Sequence, residues 1–238
     1  MQSPLPLRRT LAWIDDVVGK GPRRLLEVGC GDGALALALQ SSGRDVVALD
    51  ADRGAVAAAR ERGVDARLAR FPDFEDSVGF DAILFTRSLH HVGDLTEAIA
   101  RSEALLRPSG RLVLEDWAWD EVDAATVRWM NDQARRHARG QGWFEDWDLD
   151  GTLEDWLHEH RHHGLHGRAA MTRAVEARFR IESEGTEPYF YRYVAEQPAT
   201  PEQSLRATEE VFAREQASID AGEIKALGWR LSARNNLP

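Results

Sequence analysis

Cysteine is almost missing from this chain: Cys30 is the only one in 238 residues. One thiol excludes an intramolecular disulfide framework and a cysteine-rich zinc site. Lysine is nearly as scarce. Lys20 and Lys225 are the only two, so almost all positive charge is arginine, and 30 basic against 40 acidic residues leave a net charge of −10. Nucleic-acid backbones are bound by basic side chains that displace counterions. An acidic chain with no long basic run fits neither that role nor an anionic membrane surface, so no nucleic-acid or membrane partner is expected. No apolar run approaches the roughly 18 residues needed to span a bilayer. Met1 to Thr10 lacks the apolar stretch of a secretory signal, and no repeat or low-complexity tract is visible. These absences predict a cytoplasmic protein. Nothing in the sequence sets an oligomeric state. What is present, 43% hydrophobic and 29% charged residues, is enough for a full core.

The first half alternates between strand and helix patterns. Leu5 to Val18 has apolar residues at helical spacing. Leu25 to Val28 is a short apolar run after Pro22, followed by the turn Gly29-Cys30-Gly31-Asp32-Gly33. Ala34 to Leu39 alternates like a strand, but Ala and Leu favour helix and Asp32 suits an N-cap, so a helix stopped by Gly43 is predicted. Strands are predicted at Val46–Leu49 (ending at Asp50), Val64–Leu68, Phe80–Phe85 and Arg111–Leu114. Helices are predicted at Ala51–Arg62 and Leu95–Leu106. Near-continuous apolar strands separated by helices imply a parallel sheet covered on both faces.

The texture changes after Trp117. Residues 118–168 hold five of the eight tryptophans (Trp119, Trp129, Trp143, Trp147, Trp156) and six of the eight histidines. Helices are predicted there at Val122–Arg139 and Leu153–His163. A strand follows at Arg178–Val194, with Pro188 as an interruption, then a helix at Pro201–Ala221 and a strand at Leu227–Ala233. The 118–168 segment thus reads as a helical insertion in a single domain, 1–238.

Three glycines between a strand and a helix permit a tight turn and close approach of a ligand to the backbone, at the carboxyl edge where open α/β sheets bind ligands. Asp50 ends the next strand about 20 residues on, where an acid can take both hydroxyls of a ribose. A nucleoside-bearing ligand is implied. Gly29 to Ala34 also satisfies the dinucleotide pattern G-x-G-x-x-G/A, which keeps an NAD(P)-dependent oxidoreductase open. A Tyr-x-x-x-Lys pair is absent.

The wider pattern resembles class I S-adenosylmethionine-dependent methyltransferases. Glu27-Val28-Gly29-Cys30-Gly31-Asp32-Gly33 is similar to their first motif and Asp50 to their second. Phe80-Asp81-Ala82-Ile83-Leu84-Phe85 with Leu89-His90-His91 is similar to their fourth-strand motif. Leu105 to Leu112, through Arg107-Pro108-Ser109-Gly110, is similar to their turn into the fifth strand. The resemblance covers residues 25 to 115. It implies a Rossmann-like α/β fold: a seven-stranded, mostly parallel sheet with helices on both faces, the last strand antiparallel, and a helical cap over the substrate at 118–168. It implies S-adenosyl-L-methionine as cofactor and S-adenosyl-L-homocysteine as product. Gly29, Gly31 and Gly33 would line the methionine part, Glu27 would orient it, and Asp50 would hold the ribose. Cys30, Ala51 and Arg87 complete the expected cofactor set. The family's adenine-binding acid is replaced by Arg70, so Phe71 is expected to pack on adenine, with Asp73 as a substitute acid.

Methyl transfer is an in-line displacement that needs a base only if the acceptor loses a proton. His90 and His91 follow the fourth strand, and imidazole suits that task; both are catalytic candidates, and His91 also a substrate contact. Glu115, Trp117, Trp119, Tyr189 and Tyr191 are the other expected contacts to a small-molecule acceptor, with Trp143 a further aromatic candidate and Asp116 beside Glu115. Oxygen or nitrogen is favoured over carbon as the acceptor atom. A protein that binds the cofactor without catalysis is the quieter alternative. His158-Glu159-His160-Arg161-His162 matches H-E-x-x-H, the pattern of a zinc metallohydrolase, but the extended form would need Gly and His where Leu165 and Arg168 stand. No metal site is expected; the segment reads as a solvated helix face.

Overall fold

The computed structural model describes residues 3–21, 23–137, 148–195 and 200–235. Pro22, Arg139, Trp143 and Trp147 lie outside them. The elements run α1 (Leu5–Val18), β1 (Arg24–Val28), α2 (Ala34–Ser41), β2 (Asp45–Asp50), α3 (Arg53–Glu61), β3 (Asp65–Leu68), β4 (Phe80–Thr86), α4 (Leu95–Leu105), β5 (Leu106–Trp117), α5 (Ala124–His137), α6 (Leu153–His162), α7 (Arg168–Glu176), β6 (Phe179–Glu187), α8 (Tyr191–Ala195), α9 (Pro201–Asp220) and β7 (Gly228–Asn235). Short 3-10 turns occupy Leu89–His91 and Trp119–Glu121.

The seven strands form one sheet in the order β3-β2-β1-β4-β5-β7-β6. The pairs β1–β2, β1–β4, β2–β3 and β4–β5 are parallel. The amide of Ala118 donates to Leu227 O, and three residues earlier Glu115 pairs with Arg230, so β7 runs against β5. Ser183 meets Ser232 and Glu187 meets Gly228, so β6 also runs against β7. The predicted mixed sheet with an antiparallel last strand is thus present. Topology reverses at β1, from which β2 and β4 diverge, and the carboxyl edge there is where such sheets bind ligands.

The chain divides into two compact units. One comprises Thr10–Asp116, Ala169–Gly185 and Arg230–Pro238; the other Met1–Arg9, Trp117–Arg168 and Thr186–Trp229. In the first, Leu25, Leu26, Ile83, Leu84, Leu112 and Val113 are fully buried on the central strands, as apolar runs covered on both faces must be. In the second, Trp117, Trp119, Met130, Tyr189, Phe190 and Tyr191 form an aromatic core.

Several predicted boundaries change for local reasons. Gly33, not Asp32, is the N-cap of α2, in the left-handed region; Asp32 instead accepts from the Ala34 amide and pairs with Arg62. β5 starts at Leu106 rather than Arg111, because a register shift lets β4 pair on both sides of the Pro108–Gly110 turn. The strand expected over Arg178–Val194 ends at Glu187. Beyond Pro188, the carboxylate of Glu215 accepts the amides of Tyr189, Phe190 and Tyr191 at 2.6, 2.9 and 3.0 Å, satisfying donors at the start of α8 and turning the chain into helix. Burial pushes the Glu215 carboxyl up to about 7. Helix α7 was not predicted; Asp120 accepts its first amide, from Arg168, at 3.0 Å.

Candidate active site

The glycine loop turns on three left-handed residues, Gly29, Gly31 and Gly33, with φ of 75°, 53° and 76°. Each meets different surroundings. A Cβ on Gly29 would lie 2.5 Å from Ser88 Cβ, and one on Gly33 2.8 Å from Ala59 Cβ, whereas one on Gly31 would meet nothing within 4 Å. Gly29 and Gly33 are therefore needed for packing, and Gly31 faces open space. Leu49 O accepts both the Gly29 and Cys30 amides, at 2.8 and 2.9 Å, tying the loop to the end of β2.

Asp50 continues that tie. Its Oδ2 accepts the Gly31 amide and its Oδ1 the Asp52 amide, each at 2.9 Å. A carboxylate oxygen takes two hydrogen bonds, so each keeps a site for a ligand hydroxyl. Ala51, next in the chain, is exposed.

Glu27 lies under the loop, 2% exposed, and its Oε2 has no hydrogen-bond partner. Burial pushes its carboxyl up to about 8, against the opposing charge of Arg87. An acceptor left unmatched in a native interior is costly. Beside a loop with open space at Gly31, it suits the ammonium of an amino-acid moiety. Together with Asp50, which suits a ribose, these residues fit S-adenosyl-L-methionine. Burial also pushes the Cys30 thiol up to about 12, so it is not a thiolate nucleophile.

After β3, Phe71 is half-buried with its ring 5.4 Å from that of Phe85, while Arg70 and Asp73 are exposed. Leu68, not singled out from the sequence, pairs in register with Asp50 and is 42% exposed. A large apolar side chain left open at a strand end beside the ribose-type acid is the signal that marks it. After β4, Arg87 has a positive φ of 60° and its amide donates to Glu115 O at 2.6 Å.

The two adjacent histidines differ. His91 is exposed. His90 is buried, its Nδ1 2.5 Å from Oδ1 of the fully buried Asp116, and the two imidazole rings are 4.0 Å apart. The partner on β5 is thus Asp116. Strand alternation turns Glu115 to the opposite face, where its Oε1 accepts from the Thr10 hydroxyl at 2.7 Å and its Oε2 from Arg230 at 2.6 and 2.8 Å. Only the pairing of distant strand ends could reveal the His90–Asp116 contact, which spans 26 residues.

The four aromatic residues expected to meet the acceptor lie in the second unit. Trp117 stacks on Tyr189 at 5.4 Å, Trp119 donates to His166 O at 3.1 Å, and Tyr191 meets Phe212 edge-on at 5.0 Å. In α6, the His158 and His162 rings are 6.3 Å apart and Glu159 pairs with His163 at 2.9 Å on an exposed face. His160 turns inward: its Nδ1 lies 2.7 Å from Trp156 O and its ring among Trp117, Trp119 and Trp156. Among the described residues no group of three or more His, Cys, Asp or Glu could hold a metal ion, and no helix is long and apolar enough to cross a membrane.

A family model for a methyltransferase domain matches residues 6–178. Curated relatives of this chain include the following two. An uncharacterized methyltransferase of Mycobacterium bovis is 33% identical over 43% of this chain and 55% of its own length. A ubiquinone biosynthesis O-methyltransferase of Xylella fastidiosa is 32% identical over 69% of this chain and 70% of its own. The chain thus spans about half the length of the first of these relatives. A solved N-methyltransferase of Bradyrhizobium japonicum, in complex with S-adenosyl-L-homocysteine, shares the fold with a TM-score of 0.57 at 15% identity, covering 98% of this chain and 86% of that one.

Proposed function

The chain belongs to the methyltransferase-domain family of class I S-adenosylmethionine-dependent enzymes, and we propose that it methylates a small-molecule acceptor at oxygen or nitrogen rather than carbon. The observation that carries this reading is the continuity from Glu27 through the open Gly31 to Asp50. Glu27 would take the ammonium of the cofactor's methionine part, Gly29, Cys30, Gly31 and Gly33 would wall it, and Asp50 with Ala51 would take the ribose. Phe71, with Leu68, would pack on adenine, and Arg87 would balance the Glu27 charge. The bound cofactor supplies an electrophilic methyl on a sulfonium. The chain's task is to hold the acceptor in line with it, which can supply roughly 7–11 kcal/mol of barrier reduction at best.

His90 and His91 are the candidate groups for moving a proton. Selection of the acceptor is assigned to the 118–168 segment and the aromatic residues Trp117, Trp119, Tyr189 and Tyr191. Glu115, its carboxylate engaged by Thr10 and Arg230, would serve this through its place on β5. The similarity to a ubiquinone biosynthesis O-methyltransferase supports oxygen among these atoms.

Thermal unfolding with S-adenosyl-L-methionine, S-adenosyl-L-homocysteine, NAD and NADP, each added separately, tests the reading. A ligand at ~100 times its dissociation constant adds about 2.7 kcal/mol. Stabilisation by the two adenosyl sulfur compounds is expected; stabilisation by a nicotinamide cofactor alone would replace the reading with an oxidoreductase.

A further inference from the structure

The 3-10 turn after β4 and the end of β5 bring His90 and Asp116 together with side-chain exposures of 6% and 0%. Oδ2 of Asp116 accepts two backbone amides, from Leu89 at 3.1 Å and His90 at 3.3 Å. That anchors the carboxylate and leaves Oδ1 facing His90 Nδ1 at 2.5 Å. An ionised carboxylate only accepts hydrogen bonds, and a neutral imidazole carries its proton on one nitrogen. With the carboxylate ionised and the ring neutral, this contact puts the proton on Nδ1 and the lone pair on Nε2. Nε2 makes no hydrogen bond among the described residues, yet it is not one of the fully buried polar atoms. The ring is held by Asp116 on its Nδ1 side, and 6% of the side chain reaches the surface. Its neighbour His91 is exposed.

We propose that Asp116 is a positioning residue that fixes His90 with its proton on Nδ1, so that His90 Nε2 is the base serving an acceptor hydroxyl. The inference rests on the methyl-transfer reading above and deepens it by choosing between the two histidines and naming the reacting group. As the hydroxyl oxygen bonds to the methyl carbon, the carbon–sulfur bond breaks with its electron pair going to sulfur, and the hydroxyl proton passes to Nε2. The imidazolium so formed lies against the Asp116 carboxylate and returns its proton to solvent. A hydroxyl must lose a proton on methylation, which gives a held imidazole its task.

Long-range 1H–15N correlation spectra of the 15N-labelled full chain read the protonation of each ring nitrogen, with His90→Gln assigning the His90 signals. The result expected for the neutral ring is Nδ1 protonated and Nε2 bare. In Asp116→Asn the two anchoring amides keep the amide oxygen at the Oδ2 place, so its NH2 group faces Nδ1 and the tautomer should flip to Nε2–H. Saturating S-adenosyl-L-homocysteine should move the His90 ring signals more than those of His158, on α6. Wild-type His90 in the Nε2–H form, a ring doubly protonated at every pH from about 6 to 9, or a His90 ring unmoved by bound S-adenosyl-L-homocysteine would each overturn the proposal. The wild-type spectrum decides even if Asp116→Asn fails to fold. Calorimetry on the same sample reports cofactor binding separately, so a protein with the expected tautomer that ignores S-adenosyl-L-homocysteine would refute the functional reading and not the dyad.

Discussion

The Asp50 carboxylate holds the Gly31 amide at 2.9 Å, so the acid at the end of β2 and the open glycine of the first loop act as one unit. Replacing Asp50 removes the ribose-type acceptor and loosens the loop together. Asp50→Ala should weaken S-adenosyl-L-homocysteine about 10–100-fold, the equivalent of one lost charge-assisted hydrogen bond. Stability should fall by only about 1 kcal/mol, since both amides are exposed and water replaces the carboxylate. Calorimetry and urea denaturation measure the two effects separately.

Gly29 and Gly31 should respond to the same substitution in opposite ways. Gly29→Ala forces a methyl to within 2.5 Å of Ser88 Cβ in a left-handed conformation, and an overpacked, strained site costs about 2–5 kcal/mol in all. Gly31→Ala carries only the left-handed strain, about 1–2 kcal/mol, but its methyl enters the open space assigned to the cofactor. Denaturation midpoints should therefore single out Gly29, and S-adenosyl-L-homocysteine affinity among folded variants should single out Gly31.

Stability should fall as pH rises across neutrality. Glu27 is raised from its ordinary 4.5 to about 8, so between those values the folded protein binds more protons than the unfolded chain. The stability this gives is complete below about pH 4.5 and lost as pH climbs through about 8. Glu215, raised to about 7, adds a slope of the same sign. In Glu27→Gln the decline should flatten and end near neutrality, where Glu215 alone remains. Denaturation free energies from pH 5 to 9 check this; a slope identical in the variant would contradict it.

Glu115 is expected to matter for folding more than for cofactor binding. It is 3% exposed, and its two oxygens serve Thr10 and Arg230. Removing one member of a buried pair costs about 3–5 kcal/mol. Glu115→Ala should show that loss in denaturation while the folded fraction keeps its affinity for S-adenosyl-L-homocysteine.

Much of the sheet and the cofactor-side residues could be read directly, because doubly buried parallel strands announce themselves as apolar runs and the glycines mark the turn between them. Asp50 was legible by its spacing from Gly29. The second half was harder. Tyr189 to Val194 has strand-like residues, yet a buried carboxylate 20 or more residues away, Glu215, decides for helix; tertiary context overrode propensity. Helix α7 was hidden because its first amide is satisfied by Asp120, far back in the chain. The Glu115–Asp116 pair was noticed, but which of the two faces His90 depends on strand alternation and on the register between β4 and β5, and neither is visible without the pairing. The H-E-x-x-H match shows the converse limit: its pattern is local, while in the fold its central His160 goes to an aromatic cluster, not to the solvated face expected for the segment, and Glu159 goes to His163. Chelator treatment should accordingly leave the unfolding midpoint unchanged, and a drop would revive that motif.

A calorimetric titration of S-adenosyl-L-homocysteine into the wild-type chain and Asp50→Ala tests the central claim most directly. The account predicts saturable binding to wild type at one site, weakened about 10–100-fold in the folded variant. No binding to wild type, or equal binding to both, would contradict the assignment of the Glu27–Gly31–Asp50 edge as the cofactor site.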